Sequence, residues 1–99
     1  MAKPQPNFEP QASTLREMVR KGARIAFRAH ALAEMEKDGI VRLDVEAILG
    51  RCKVTLIEDR RGEETWRAEG VDCDGRRIVA VVVWKSEEFE IKVITSWAG

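Results

Sequence analysis

Hydrophobic and polar positions follow two different periods along this chain, helical in its first half and two-residue in its second. From Ile78 to Trp84 every residue is apolar and most are β-branched. The run is too short for a spanning helix and reads as a strand buried on both faces, one that tolerates no charge. Lys85-Ser86-Glu87-Glu88 is then a polar break of hairpin length. Beyond it Phe89, Ile91, Val93, Thr95 and Trp97 alternate with Glu90, Lys92, Ile94 and Ser96, the pattern of a half-buried strand. The two strands predict a hairpin that the rest of the chain must extend or cover.

Upstream, Met1 to Ala12 holds three prolines among polar residues and is expected to be an extended N-terminal arm, leaving residues 13–99 as one domain. Thr14-Leu15-Arg16-Glu17 has the form of a capping box, which predicts a short first helix ended by Gly22. Ala23 to Phe27 is an extended link or a brief edge strand. Ala29, Leu32, Ala33 and Met35 fall at helical spacing up to Gly39, and Leu43, Val45, Ala47, Ile48 and Leu49 predict a third helix closed by Gly50. Val54, Leu56 and Ile57 mark a strand, Asp59 to Glu64 a charged loop, and Thr65 to Asp72 a strand in which Trp66, Ala68 and Gly70 alternate with Arg67, Glu69 and Val71. Asp72-Cys73-Asp74-Gly75 predicts a tight turn. Short connections make these strands a four-stranded antiparallel meander with the helices packed on one face, an α+β fold.

Composition narrows the class without choosing a function. The 99 residues fit one domain, 44% hydrophobic content supports a packed core, and 34% charged residues give a solvated surface. No apolar run approaches a bilayer span and the first residues lack the apolar core of a secretory signal, so the expectation is a cytoplasmic protein without membrane contact. Cys52 and Cys73 are not in metal-ligand spacing and are expected to be small buried thiols. With one histidine, no Gly-rich phosphate loop and no Cys-x-x-Cys pair, neither a metal site nor a nucleotide cofactor is indicated. Net charge is zero, which removes any global field for nucleic acid. Met1 to Arg61 nevertheless carries twelve Lys/Arg against nine Asp/Glu, and the remainder five against eight.

The order of elements carries a resemblance. Phe27-Arg28-Ala29-His30-Ala31-Leu32-Ala33-Glu34-Met35, Gly39-Ile40 and the helix at Asp44-Val45 are followed by Leu56-Ile57-Glu58-Asp59. Trp66-Arg67, Gly70, Gly75-Arg76-Arg77 and a closing Val93-Ile94-Thr95-Ser96-Trp97 complete the series. Together they resemble a small bacterial family known as domain-of-unknown-function family 4258, over roughly Ile25 to Trp97. That family is similar in layout to the RelE-like toxins, small ribonucleases with N-terminal helices backed by an antiparallel sheet. The resemblance implies a metal-independent endoribonuclease of a toxin–antitoxin pair, with RNA as substrate and an antitoxin protein as partner. In this chain Arg28 and Val41 stand where the family places small polar caps before its second and third helices.

Cleavage through a 2′-hydroxyl needs a base for that proton and an acid for the leaving oxygen. His30, the only side chain that ordinarily titrates near neutrality, can supply either, with Glu34 one helical turn on to orient it. It can equally pack at a helix–sheet junction. Arg67 can hold a phosphate by two parallel hydrogen bonds, or can serve as a cross-strand ion partner. Thr95 and Ser96 are hydroxyl donors or ordinary strand residues. Arg60, Arg61, Arg76 and Arg77 lie in two turns where they can meet RNA backbone or remain solvated. Trp66, Trp84 and Trp97 offer stacking surfaces, and the apolar alternation favours the core for Trp66 and Trp97. The competing function is a non-catalytic interaction or oligomerising module that binds a partner through a sheet edge or the arm.

Overall fold

The computed structural model describes residues 8–99, which form α1 (Glu9–Arg20), β1 (Arg24–Phe27), α2 (Ala29–Lys37), α3 (Arg42–Leu49), β2 (Lys53–Arg60), β3 (Glu63–Val71), β4 (Arg77–Lys85), a 3₁₀ turn (Ser86–Glu88) and β5 (Glu90–Ala98). The fold class is α+β. The expected meander is present as β2 to β5, but the sheet has five strands in the order β1-β5-β4-β3-β2. The link before α2 is the added strand: β1 pairs with β5 in parallel, from Arg24 opposite Glu90 to Phe27 opposite Val93. The sheet is therefore mixed.

The first helix begins at Glu9, with Pro10 in its opening turn, where a missing N–H costs nothing. Thr14 is inside the helix and its hydroxyl donates to the Pro10 carbonyl at 3.0 Å, so it is no cap. Ala12 and Leu15 are fully buried and the Phe8 N–H donates to the Val54 carbonyl at 2.9 Å. Residues 8–12 thus belong to the folded unit, and residues 1–7 of the expected arm lie outside the described residues. α2 ends as its sequence predicts: Gly39 takes φ +66°, Ile40 N–H reaches Met35 O and Gly39 N–H reaches Glu36 O. α1 ends the same way at Gly22. α3 has no side-chain N-cap at Val41; instead the Asp44 carboxylate reaches back to the Val41 N–H at 3.0 Å.

All three helices lie on one face of the sheet. Ala12, Leu15, Ala31, Met35, Val45, Ile48 and Leu49 share one core cluster with Val54, Ala68, Ile78, Ala80, Val82, Ile91 and Val93. Gly70 permits this layer to close, because a Cβ there would stand 3.0 Å from Ile48 Cβ. Leu43, expected in the third helix's apolar face, is 74% exposed. The charged loop expected from Asp59 to Glu64 is mostly strand. Arg61 and Gly62 alone form the turn, both at positive φ as a type I′ hairpin requires.

Two bulges decide which side chains face which way. Between β4 and β5, Val82 pairs with Val93 and Val81 with Thr95, leaving Ile94 without a partner. The simple alternation predicted for this strand therefore breaks after Val93. Ser96 turns into the core and Thr95 and Trp97 turn out of it. A second shift sits at Thr55 in β2.

Candidate functional site

Opposite the helices, one face of the sheet is covered by no other element among the described residues. Strand alternation places Val79, Val81 and Val83 of β4 on it, flanked by Thr65, Arg67 and Glu69 of β3 and by Lys92, Thr95 and Trp97 of β5. The three valines are only 3 to 5% exposed although no helix lies over them. Strand alternation sets the long side chains of Arg67, Glu69, Lys92 and Trp97 next to them, and side chains of this kind shield apolar surface with their aliphatic and aromatic parts.

Register answers the question that sequence leaves open about Arg67 and Thr95. Arg67 pairs with Val81 and Val81 with Thr95, so all three share this face. Arg67 Nε donates to Thr55 Oγ1 at 3.1 Å and lies 3.2 Å from Glu69 Oε2. Arg77 projects onto the same face and donates through Nε to Glu69 Oε1 at 2.9 Å, and the Thr55 hydroxyl donates to Glu69 Oε2. Burial pushes the Glu69 carboxyl up, but the hydrogen bonds from Thr55 and Arg77 and the charges of Arg77 and Arg67 outweigh it and hold the group below the usual carboxylate range. Glu69 is thus an ionised hub that fixes two guanidinium groups in place.

Charge on this face is one-sided. The same alternation gives it Arg24, Arg28, Lys53, Arg60, Arg67, Arg77, Lys85 and Lys92, against Glu58, Glu63, Glu69 and Glu90. Each carboxylate is already paired: Glu58 with Arg60, Glu63 with Arg28 and Lys85, Glu69 with Arg67 and Arg77, Glu90 with Arg24. Lys92 has no carboxylate within ion-pair distance among the described residues. A chain of zero net charge has concentrated cations on one side.

Several predicted site residues lie elsewhere. His30 is an exposed residue at the start of α2, the helix that packs against β5 from the covered side. Arg67 projects from β3 on the opposite, open face. His30 and Arg67 therefore do not meet over one phosphate. Glu34 pairs with Lys37 at 3.3 Å rather than orienting an imidazole. Ser96 is fully buried and donates to the Val79 carbonyl at 2.8 Å, so its hydroxyl is closed to a ligand. Arg76 is a structural clamp: Nε donates to Asp72 Oδ2 at 3.1 Å, Nη1 to the Asp38 carbonyl at 2.9 Å, and Nη2 lies 3.5 Å from Asp44 Oδ2. It ties the β3–β4 turn to the α2–α3 connection.

Residues that sequence reasoning passed over include Lys92, Glu69 and, as a surface aromatic, Trp97. Lys92 carries a legible signal, a lone cation between Ile91 and Val93 in a period-two strand. Trp97 does not, because the bulge at Ile94 that turns it outward is a property of pairing. Trp66 and Trp84 pack against the core, and Trp84 meets Phe89 edge-on at 6.3 Å. Of the cysteines, Cys52 is buried, its thiol pushed up to about 11 chiefly by that burial, while Cys73 is exposed, contrary to expectation. Among the described residues no cluster of His, Cys, Asp and Glu could hold a metal ion, and no helix is long and apolar enough to cross a membrane.

Residues 27–97 match the family model described as domain of unknown function (DUF4258). No curated protein and no solved structure matches the chain.

Proposed function

The chain belongs to the DUF4258 family, and we propose that its open sheet face is a binding surface for single-stranded RNA in a protein of RelE-like layout. The observation that carries this is the convergence of Arg67, Thr95 and Trp97 on one cation-rich face of an otherwise neutral chain. Guanidinium and ammonium groups supply phosphate contacts and the half-buried Trp97 indole supplies a base-stacking edge. Arg67, held by Thr55 and Glu69, is the phosphate clamp, with Arg77 on the other side of Glu69, while Lys92 and the Thr95 hydroxyl stand two strands away on the same face as contacts for the next part of the strand.

Cleavage on this surface is metal-independent: the RNA 2′-hydroxyl gives its proton to water and attacks the adjacent phosphorus, closing a 2′,3′-cyclic phosphate, while the 5′-oxygen leaves and takes a proton from water, and Arg67 offsets the charge that builds on the phosphoryl oxygens. The test is RNA affinity at low and moderate salt. Wild type binds a single-stranded oligonucleotide with an affinity that falls steeply with salt; Arg67→Glu loses binding and His30→Ala keeps it. Equal binding by wild type and Arg67→Glu, or none by wild type, sinks the reading. Incubation with total RNA and ribosome-bound messenger separates a nuclease from a binder.

A second reading rests on α3, where Val41 and Leu43 are 59% and 74% exposed beside the groove of Leu32 and Ile40. There the chain is an interaction module, and an antitoxin is the partner the RelE-like layout suggests. Co-purification of a stoichiometric protein lost in Leu43→Ser favours it.

A further inference from the structure

One cleft at the hairpin end of the sheet has features that the phosphate clamp at Arg67 does not use. It measures about 390 Å³ and is lined by Arg28, Arg60, Arg61, Glu63, Thr65 and Ile94. Its three guanidinium groups come from three separate places: the residue after β1, the end of β2 and the β2–β3 turn. Arg28 projects inward over the sheet from its far edge, and the bulge at Ile94 lines the floor between.

The ion pairs here are long. Arg28 Nη2 lies 3.4 Å from Glu63 Oε1, Lys85 Nζ 3.5 Å from Glu63 Oε2, and Arg60 Nη2 3.3 Å from Glu58 Oε1. Charge-assisted hydrogen bonds settle nearer 2.7–2.9 Å, so these contacts are loose and exchangeable. Arg61 has no carboxylate within ion-pair distance among the described residues. Among the lining residues three guanidinium groups, Arg28, Arg60 and Arg61, face one carboxylate, Glu63, which leaves an excess of two positive charges. Arg61 also occupies the left-handed region at φ +55°, held there by the Gly62 N–H bond to Asp59 Oδ1 at 2.8 Å. Asparagine or glycine would sit in that turn with less strain.

We infer that this cleft is a subsite for a phosphate monoester, whose two negative charges match the local excess. Arg28 and Arg61 grip the phosphate from opposite sides and Arg60 closes the rim. The ligand is either the phosphorylated end of a strand lying on the open face, which rests on the RNA reading above, or a small phosphorylated molecule.

Nuclear magnetic resonance titration of the full chain with inorganic phosphate tests the subsite independently of RNA. Arginine Nε–H signals and the Gly62 and Thr65 amides shift in wild type, and Arg61→Asn weakens the response about tenfold, the loss of one charge-assisted contact. Because asparagine suits the turn, the same variant melts about 5 °C higher, so its loss of binding is not a loss of fold. Arg28→Gln weakens the response similarly, whereas Arg67→Glu leaves it in place even where it removes RNA binding. No shift in wild type, or an equal one in Arg61→Asn, overturns the subsite. Oligonucleotides with and without a terminal phosphate separate the sources: a preference of about tenfold, lost in Arg61→Asn, supports the strand end, and equal affinities overturn it in favour of a small molecule.

Discussion

Val81 and Val82 are consecutive, chemically identical and almost equally buried, yet they belong to different parts of the molecule. Val82 lies under the helices with Val93 and Ala68, in a layer closed by other elements. Val81 lies between Arg67 and Thr95, covered only by side chains that end in water. The covered face is held by the exclusion of water, and any polar atom there must find a partner. On the open face burial is a by-product of long charged residues lying flat, and those residues remain available to a ligand.

The largest test of that contrast is the same substitution on both sides. Val82→Lys has no route to solvent and should leave the chain unfolded, a loss on the order of the whole stability of a domain this size, about 5 kcal/mol. Val81→Lys can extend along the sheet beside Arg67 and should cost about 1 kcal/mol. Chemical denaturation of the pair decides it, and equal losses would mean that the open face is as dry as the other. All six residues from Ile78 to Val83 are buried, as the sequence predicts, and the pair tests whether both faces of the run are equally intolerant of charge.

Adjacent arginines repeat the contrast at smaller scale. Arg76→Ala releases Asp72, the Asp38 carbonyl and Asp44 together, and should lower stability by about 2 kcal/mol. Arg77→Ala removes an exposed partner of Glu69 and should cost at most about 1 kcal/mol, while weakening RNA binding. Ser96 and Thr95 follow. Ser96→Ala removes the hydroxyl's bond to the Val79 carbonyl and costs about 1 kcal/mol with no change in RNA affinity, and Thr95→Val does the reverse. Melting curves and binding isotherms on the four variants check the assignments, and a stability loss in Thr95→Val matching that of Ser96→Ala would break them.

What the sequence discloses stops at the point where pairing takes over. The apolar run of β4, the glycines ending α1 and α2 and the Asp-Gly turn before β4 are local physics and appear where expected. β1 is four residues with no distinctive pattern, and its place beside β5 depends on a parallel partner some seventy residues away. Alternation predicts Thr95 and Trp97 on the side of Ile91 and Val93, and the bulge at Ile94 reverses them. That reversal closes Ser96 to a ligand and puts Thr95 on the face of Arg67, so half of the candidate site was hidden in a one-residue slip. His30 stood out by its chemistry alone, and nothing in its spacing said which layer its helix would occupy.

The gentlest test of the open face is its dependence on pH. Glu69 is ionised below the usual carboxylate range in the folded chain because Thr55, Arg77 and Arg67 favour its charged form against its own burial. A carboxyl whose folded value lies below its unfolded value stabilises the fold above the unfolded value, near pH 4, and that contribution is lost as pH falls through the folded value. Glu69→Gln should therefore be less stable than wild type at pH 7, with the gap narrowing once pH drops below about 4. Asp72, lowered by the Arg76 backbone N–H first and then by the Arg76 side chain and the Asp74 N–H, behaves in the same direction at the clamp. The two separate by readout: Glu69→Gln frees Arg67 and Arg77 and alters RNA affinity along with stability, while Asp72→Asn alters stability alone. Melting temperature and RNA affinity measured for both variants between pH 3 and pH 7 check this, and an RNA affinity indifferent to Glu69→Gln would show that the hub does not position Arg67.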